Sequence, residues 1–166
     1  MTNQERPAGR PARYRMEAQG RLRLDYARFS DVEEYLLRRN GHGPHYVATY
    51  FIDPSGEQPR LVVDWQEPYG YLVSFDEDYD GNPLVVADEW PCEETLEIVR
   101  DQGPLKEPVT IEFPRSVFTS LDTALGAVRA FFQTPKPCSA LVWVRIWDKC
   151  PETGARVFAP KLARSS

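Results

Sequence analysis

A series of short apolar segments separated by turn-forming residues constrains the fold of this chain more than any other feature. Each segment is rich in β-branched or aromatic residues and has the length of a strand: Tyr46–Ile52, Leu61–Trp65, Tyr71–Phe75 and Leu84–Ala87. The residues between them favour turns: Asp53-Pro54-Ser55-Gly56, Pro68-Tyr69-Gly70 and Asp80-Gly81-Asn82-Pro83. Because connections of only a few residues join neighbouring antiparallel strands, this pattern predicts an antiparallel meander.

Two amphipathic helices are predicted to accompany the sheet. The sequence Ser30-Asp31-Val32-Glu33 has the form of a capping box, in which Ser30 and Glu33 each satisfy a backbone amide, and it predicts a short helix through Arg39. A longer helix is predicted to begin at Ser120 or Asp122 and to end before Pro135. The apolar residues expected on the inner faces are Val32, Tyr35 and Leu36 in the first helix, and Leu121, Ala124, Leu125, Val128, Phe131 and Phe132 in the second.

Further strands are predicted on either side of these helices. They are Arg21–Asp25, Val109–Phe113, Ala140–Trp147 and an edge strand at Arg156–Ala159, while Glu94–Arg100 fits either a strand or a helical turn. Ala140–Trp147 is largely apolar on both faces, with Trp143 and Trp147 expected on the same face, and should lie centrally. The expected fold is α+β: an antiparallel or mixed β-sheet of about six or seven strands packed with one long late helix and one short early helix.

Length and terminal composition predict a single domain. At 166 residues the chain has the length of one domain, which is expected to span residues 16–160. Residues 1–15 are rich in Arg, Pro and Gly and are expected to be a flexible basic arm, and residues 161–166 a basic tail. No apolar run reaches the roughly 20 residues that a membrane-spanning helix needs, and no secretory signal is recognisable. We therefore expect a cytoplasmic protein with no membrane partner, whose cysteines are free thiols.

Charge is distributed unevenly along the chain. The net charge is −5, yet residues 1–28 carry seven arginines against three carboxylates, so the acidic excess lies in the remainder. Residues 76–97 hold nine carboxylates and no lysine or arginine. A body of this charge does not suit nucleic-acid binding, which needs a basic surface. The expected partner is therefore a protein and not a nucleic acid.

No constellation of residues predicts catalysis, a cofactor or a metal. His42 and His45 lack the further ligands or the placed nucleophile that a zinc site or a catalytic triad requires. Residues 76–81 match the opening of a calcium-binding loop, but its twelfth position holds Ala87 and not a bidentate acid. No glycine-rich phosphate-binding motif is present. We therefore expect a binding protein and not an enzyme, with no cofactor.

The acidic segment 76–97 has two interpretations. It can be a solvated face, as clustered carboxylates usually are, or it can dock onto a basic cleft that otherwise holds phosphates. On the second interpretation, Tyr79 and Trp90 are aromatic anchors among the acids. The candidate binding residues are Asp76, Glu77, Asp78, Tyr79, Asp80, Asp88, Glu89, Trp90, Glu93 and Glu94.

The late part of the chain resembles a known family. Residues 117–125 (Val-Phe-Thr-Ser-Leu-Asp-Thr-Ala-Leu) and 128–132 (Val-Arg-Ala-Phe-Phe) are similar to the late strand–helix unit of small immunity proteins from bacterial polymorphic toxin systems, and Pro137 and Leu141-Val142-Trp143 follow as in that family. The family includes partners of DNA cytosine deaminase toxins, and the resemblance extends over residues 20–147. It implies a non-catalytic inhibitor that occludes the active site of its cognate toxin. A toxin that acts on nucleic acid, as a deaminase or a nuclease, fits the acidic segment best.

Two other functions stay open on the sequence alone. The chain can be an adaptor or regulatory module for a different protein, which only the identity of its partner would distinguish from immunity. It can also be a small enzyme that uses carboxylates in a pocket, which a cluster of buried acids with raised pKa beneath Trp65, Glu67 or Trp90 would favour.

Overall fold

The computed structural model describes residues 14–18, 22–39, 46–51, 59–77, 82–89, 94–100, 107–149 and 156–162. Within these ranges the chain forms two α-helices and eleven strands, and the strands pair in antiparallel sheets. This confirms the predicted α+β class. The structure has more strands than the six or seven expected: a first strand before Leu22 matches none of the predicted segments, and a two-residue strand before the long helix adds another. The ambiguous segment near Glu94–Arg100 is a strand.

The elements follow one another in chain order. The first half contains β1 (Tyr14–Ala18), β2 (Leu22–Ala27), α1 (Phe29–Arg39), β3 (Tyr46–Phe51), β4 (Arg60–Gln66), β5 (Gly70–Asp76) and β6 (Leu84–Ala87). The second half contains β7 (Thr95–Arg100), β8 (Val109–Pro114), a one-turn 3-10 helix (Arg115–Val117), β9 (Phe118–Thr119), α2 (Leu121–Gln133), β10 (Val142–Lys149) and β11 (Arg156–Leu162).

Nine of the strands form one sheet, with the predicted meander at its centre. The order is β11-β10-β6-β5-β4-β3-β1-β2, and β9 pairs with β5. β3 to β6 pair consecutively and antiparallel, as the short turns predicted. β10 was expected in a central position, but it lies next to the edge strand β11, which pairs with it along its length.

β1 is the principal element that sequence periodicity did not predict. It lies between β2 and β3, with Met16 fully buried. The Tyr14 hydroxyl donates to the backbone carbonyls of Phe131 and Phe132 at 3.0 Å each, and its ring stacks on Phe132 with a centroid distance of 4.2 Å. These contacts hold β1 against the end of α2. Residues 1–13 and 163–166 lie outside the described part of the chain.

Both helices pack on one face of the large sheet. α2 begins where predicted: Ser120 is its N-cap, and the Ser120 hydroxyl accepts from the Thr123 amide at 3.1 Å. α1 begins two residues earlier than the predicted cap at Ser30 implies, because the Asp31 carboxylate accepts from the Arg28 amide at 2.8 Å and Ser30 lies inside the helix. The core beneath them includes Val32 and Leu36 of α1, Ala124, Val128 and Phe131 of α2, and Leu61, Val63, Tyr71, Val73 and Phe75 of the sheet.

A second layer covers part of the opposite face of the sheet. β7 and β8 form a separate two-stranded antiparallel sheet. Its inward residues Ile98 and Phe113 pack against Leu72, Val144 and other sheet residues, forming a second apolar core. Full burial of one such side chain contributes on the order of 1.5–3 kcal/mol, so this core anchors the hairpin firmly.

The two tryptophans of β10 lie in different cores of the fold. Trp143 contacts Phe75 in the helix-side core. Between Arg145 and Trp147, β10 advances two residues while β11 advances three, from Lys161 to Phe158, which indicates a bulge in β11. Trp147 packs edge-on against Phe113 in the second core, whereas Trp143 packs in the helix-side core, so the expectation that the two share a face was wrong.

Candidate functional site

Backbone hydrogen bonds to the 3-10 helix hold Asp88 and Glu94 at the base of the β7–β8 hairpin. The Asp88 amide donates to the Ser116 carbonyl at 2.8 Å, and the Arg115 amide donates to the Glu94 carbonyl at 2.7 Å. Asp88 and Glu94 are thus both bonded to the 3-10 helix, at its neighbouring residues Ser116 and Arg115. Asp88, its neighbour Glu89 and Glu94 are all exposed.

Two further carboxylates lie directly opposite each other on the hairpin. Glu97 of β7 pairs with Glu112 of β8 in the antiparallel register, and both are exposed. Opposed residues have Cβ atoms about 4.5–5.5 Å apart, and like charges at such positions are destabilising. Glu97 lies about 10 Å along the strand from Glu94. We refer to Asp88, Glu89, Glu94, Glu97 and Glu112 together as the acidic surface.

The charge environment of Asp88 reflects its place at this surface. Partial burial of the carboxyl raises the pKa of Asp88 above its ordinary value, although the residue as a whole is exposed. The guanidinium of Arg115 opposes this rise, and the negative charge of Glu89 adds to it. A cation supplied by a partner would therefore stabilise the charged form of Asp88, which partial burial disfavours.

Half of the candidate residues named from the sequence can be placed, and they fall into two groups. Asp88, Glu89 and Glu94 belong to the acidic surface. Asp76 and Glu77 lie at the other end of the β5–β6 pair, because Phe75 pairs with Leu84 and Asp88 follows Ala87. The length of β6 separates the two groups by about 13 Å. Asp78, Tyr79, Asp80, Trp90 and Glu93 lie outside the described residues.

Asp76 is enclosed within the fold. The Arg60 side chain donates to Asp76 Oδ2 from Nη2 at 2.7 Å and from Nε at 3.1 Å. The Asp76 side chain is 7% exposed, while Glu77 beside it is exposed. The charge of Asp76 is therefore compensated inside the protein, whereas Glu77 stays accessible.

A cleft of about 590 Å³ opens between the hairpin and the large sheet. Its floor is formed by residues of β4, β5, β6 and β10, together with Pro83, which immediately precedes β6. The floor residues are Val62, Asp64, Leu72, Ser74, Pro83, Val85, Ile146 and Trp147. Its wall is formed by four consecutive residues of β8: Thr110, Ile111, Glu112 and Phe113. Volumes of 300–1,000 Å³ are typical of ligand pockets, so the cleft is large enough to bind a ligand or a peptide segment.

Asp64 supplies a buried carboxylate to the floor of this cleft. It is 6% exposed, and the Gln66 amide donates to its Oδ2 from Nε2 at 3.0 Å. Gln66 is itself buried, so this hydrogen bond holds the carboxylate in position. Asp64 and Glu112 are the acidic residues that line the cleft, and its lining contains no lysine or arginine.

Other features considered from the sequence fall only partly within the described residues. No group of three or more His, Cys, Asp or Glu residues there is arranged to hold a metal ion. His42, His45 and most of the calcium-loop match lie outside them. Trp65 packs with the helix-side core, whereas Asp64 lines the cleft on the opposite face, so Asp64 does not lie beneath Trp65. No helix in the described ranges is both long and apolar enough to cross a membrane.

Three residues of the site were missed in the sequence. Glu97 and Glu112 become neighbours only through the register of a hairpin whose first strand was ambiguous. Asp64 lies in an apolar segment whose alternation predicted a strand, and a charged residue inside such a strand was the available signal.

Comparison with protein-family models finds no match to this chain, and comparison with curated proteins finds none either.

Proposed function

We propose that this chain is an immunity protein, which binds a cognate bacterial toxin in the cytoplasm and inhibits it by occluding its active site. The toxin acts on nucleic acid, as a deaminase or a nuclease. Such an enzyme has a basic cleft for phosphates, and a protein that presents carboxylates can occupy that cleft.

The direct opposition of Glu97 and Glu112 carries this proposal. Two like charges held across a hairpin reduce the stability of the free protein, and a cationic partner would offset that cost on binding. Asp88, Glu89 and Glu94 extend the same negative potential to the base of the hairpin. The resemblance of residues 20–147 to immunity proteins suggests the same class of function.

Recovery of the partner is the first test. The tagged protein is used to capture binding proteins from the bacterium that encodes it, and these are identified by mass spectrometry. We expect a toxin domain with a basic active-site cleft, whose activity on nucleic acid the purified protein abolishes. Recovery only of housekeeping or regulatory proteins would support the adaptor function in place of immunity.

Charge reversal then tests the acidic surface in the recovered complex. The double variant Glu97→Lys/Glu112→Lys should weaken binding strongly at low salt and less at moderate salt, because salt screens the interaction between exposed charges. Glu34→Lys is the matched control, since Glu34 is an exposed carboxylate on α1, which packs on the opposite face of the sheet. Unchanged affinity of the double variant at both salt concentrations would rule out docking through this surface.

A further inference from the structure

The second layer of the fold is narrower than the sheet it covers. The large sheet has nine strands, whereas the layer above it has two. The hairpin packs over Leu72, Val85 and Val144, and the cleft lies where this cover ends. Val62 and Ser74, on the floor of the cleft, are both half-buried. A further strand beside β8 would continue the second layer over these residues.

β8 presents its edge to the cleft. Successive side chains of a strand point to opposite faces, so a strand that lies flat on a cavity lines it with every second residue. Four consecutive residues of β8, Thr110 to Phe113, line this cleft. β8 pairs with β7 on one side, and within the described residues no strand pairs with its other side. The backbone amides and carbonyls of that edge are a template for an added strand.

The residues that line the cleft determine which side chains an added strand would carry. Side chains that point inward would meet Val62, Leu72 and Val85, and one of them would approach the carboxylate of Asp64. Side chains that point outward would lie across from Glu112. Because Glu112 is exposed and no lysine or arginine lines the cleft, the complementary segment combines apolar residues with lysine or arginine.

We infer that the cleft binds an extended, basic and apolar peptide segment of the protein partner, which adds as a third strand to the edge of β8 that no described strand pairs with. This inference rests on the proposed function in one respect, because the segment would belong to the inhibited toxin. Main-chain hydrogen bonds to β8 would supply affinity, and Glu112 would select basic residues. Glu112 belongs both to the acidic surface and to the rim of the cleft, so the two contacts with the toxin would be continuous.

A library of linear 12-residue peptides displayed on phage provides a probe that does not require the toxin. The full chain is immobilised, and we expect enrichment of peptides in which apolar and basic residues alternate. One enriched peptide is then synthesised, labelled and measured by fluorescence anisotropy. Methylation of backbone amides on one edge of the peptide should abolish binding, while methylation on the other edge should be tolerated, since only one edge pairs with β8.

Matched variants locate the binding site. Val62→Trp fills the cleft and should weaken peptide binding by about tenfold or more, whereas Val99→Trp, at an exposed valine outside the cleft lining, should change it little. Glu112→Lys should weaken binding without filling the cleft, while Glu107→Lys, at an exposed carboxylate before β8, should have a smaller effect. If Val62→Trp does not fold, Glu112→Lys and its control Glu107→Lys show whether the peptide binds at the cleft.

Failure of this inference can be separated from failure of the proposed function. Absence of enrichment, equal binding to the wild type and to the cleft variants, or indifference to amide methylation would overturn strand addition at β8. If the recovered toxin nevertheless binds the Val62→Trp protein as tightly as the wild type, immunity stands and the cleft is not its contact. If enriched peptides bind the cleft as expected but no toxin is recovered, the cleft inference stands and the proposed immunity function fails.

Discussion

Arg60 and Asp76 form an ion pair across β4 and β5, with 2.7 Å between Arg60 Nη2 and Asp76 Oδ2. Because these two residues are directly paired in the strand register, their side chains lie on the same face of the sheet. The pair removes from the surface a carboxylate that the sequence pattern assigned to partner binding. Asp76 is therefore expected to act in stability, while the exposed acids at the base of the hairpin act in recognition.

Removal of the charge of Asp76 should destabilise the protein. Asp76→Asn deprives the partly buried Arg60 guanidinium of its charge partner, and we expect the free energy of unfolding to fall by about 2–3 kcal/mol, since Arg60 is still in part solvated. Urea denaturation measures the change. Glu77→Gln is the control, because Glu77 is exposed and its substitution should change stability by less than about 0.5 kcal/mol. An Asp76→Asn protein as stable as the wild type would contradict the structural role.

Neutralisation of one member of the Glu97–Glu112 pair should have the opposite effect. Glu97→Gln removes the repulsion between opposed carboxylates and should raise the free energy of unfolding by about 0.2–1 kcal/mol. The gain should shrink as salt concentration rises. Thermal unfolding at low and high salt, with Glu107→Gln as the matched exposed control, measures it. A destabilised Glu97→Gln protein would show that repulsion does not dominate at this position.

Tyr71 should make the protein sensitive to alkali. Burial raises the pKa of Tyr71 to about 12, whereas a tyrosine in an unfolded chain ionises near pH 10. The unfolded state therefore loses this proton first, and stability falls as pH rises from about 10 to 12. Between pH 9 and pH 11 the wild type should lose about 1 kcal/mol more than Tyr71→Phe.

Denaturant unfolding at pH 9 and pH 11 measures this difference. Tyr69→Phe is the control, since Tyr69 lies in the preceding turn and is only half-buried. Equal losses in the wild type and Tyr71→Phe would show that the Tyr71 hydroxyl ionises in the folded protein as readily as in the unfolded chain.

Gly70 and Gly126 should respond oppositely to a methyl group. Gly70 has a φ of +118°, and a Cβ there would lie 2.6 Å from the backbone oxygen of Thr119 in β9. Gly70→Ala should therefore lower the free energy of unfolding by about 2 kcal/mol or more. Gly126 lies on the exposed side of α2 with open space around the position of a Cβ, so Gly126→Ala should stabilise by about 0.5–1 kcal/mol. Thermal melts compare both with the wild type, and a stable Gly70→Ala protein would contradict the close approach of β9.

The sequence by itself determined the elements whose signals are local. The meander from β3 to β6 follows from short turns between β-branched segments, and α2 follows from apolar spacing together with the cap at Ser120. The exposure of Asp88, Glu89 and Glu94 agrees with the acidic composition of their segment. In each case the determining residues lie within a few positions of one another, so the physical cause is present in the local pattern.

Only the tertiary structure decided the features that join distant residues. β1 is held by contacts between Tyr14 and the end of α2, and Trp143 and Trp147 of β10 pack in different cores. The ion pair of Arg60 with Asp76, the opposition of Glu97 and Glu112, and the cleft beside β8 all depend on strand register and on how the hairpin is stacked. Register is set by the packing of both faces of a sheet at once, and a one-residue shift would reverse the direction of every side chain. For that reason Asp88, Glu89 and Glu94 could be named from the sequence, but Asp64, Glu97 and Glu112 and the assembly of the site could not.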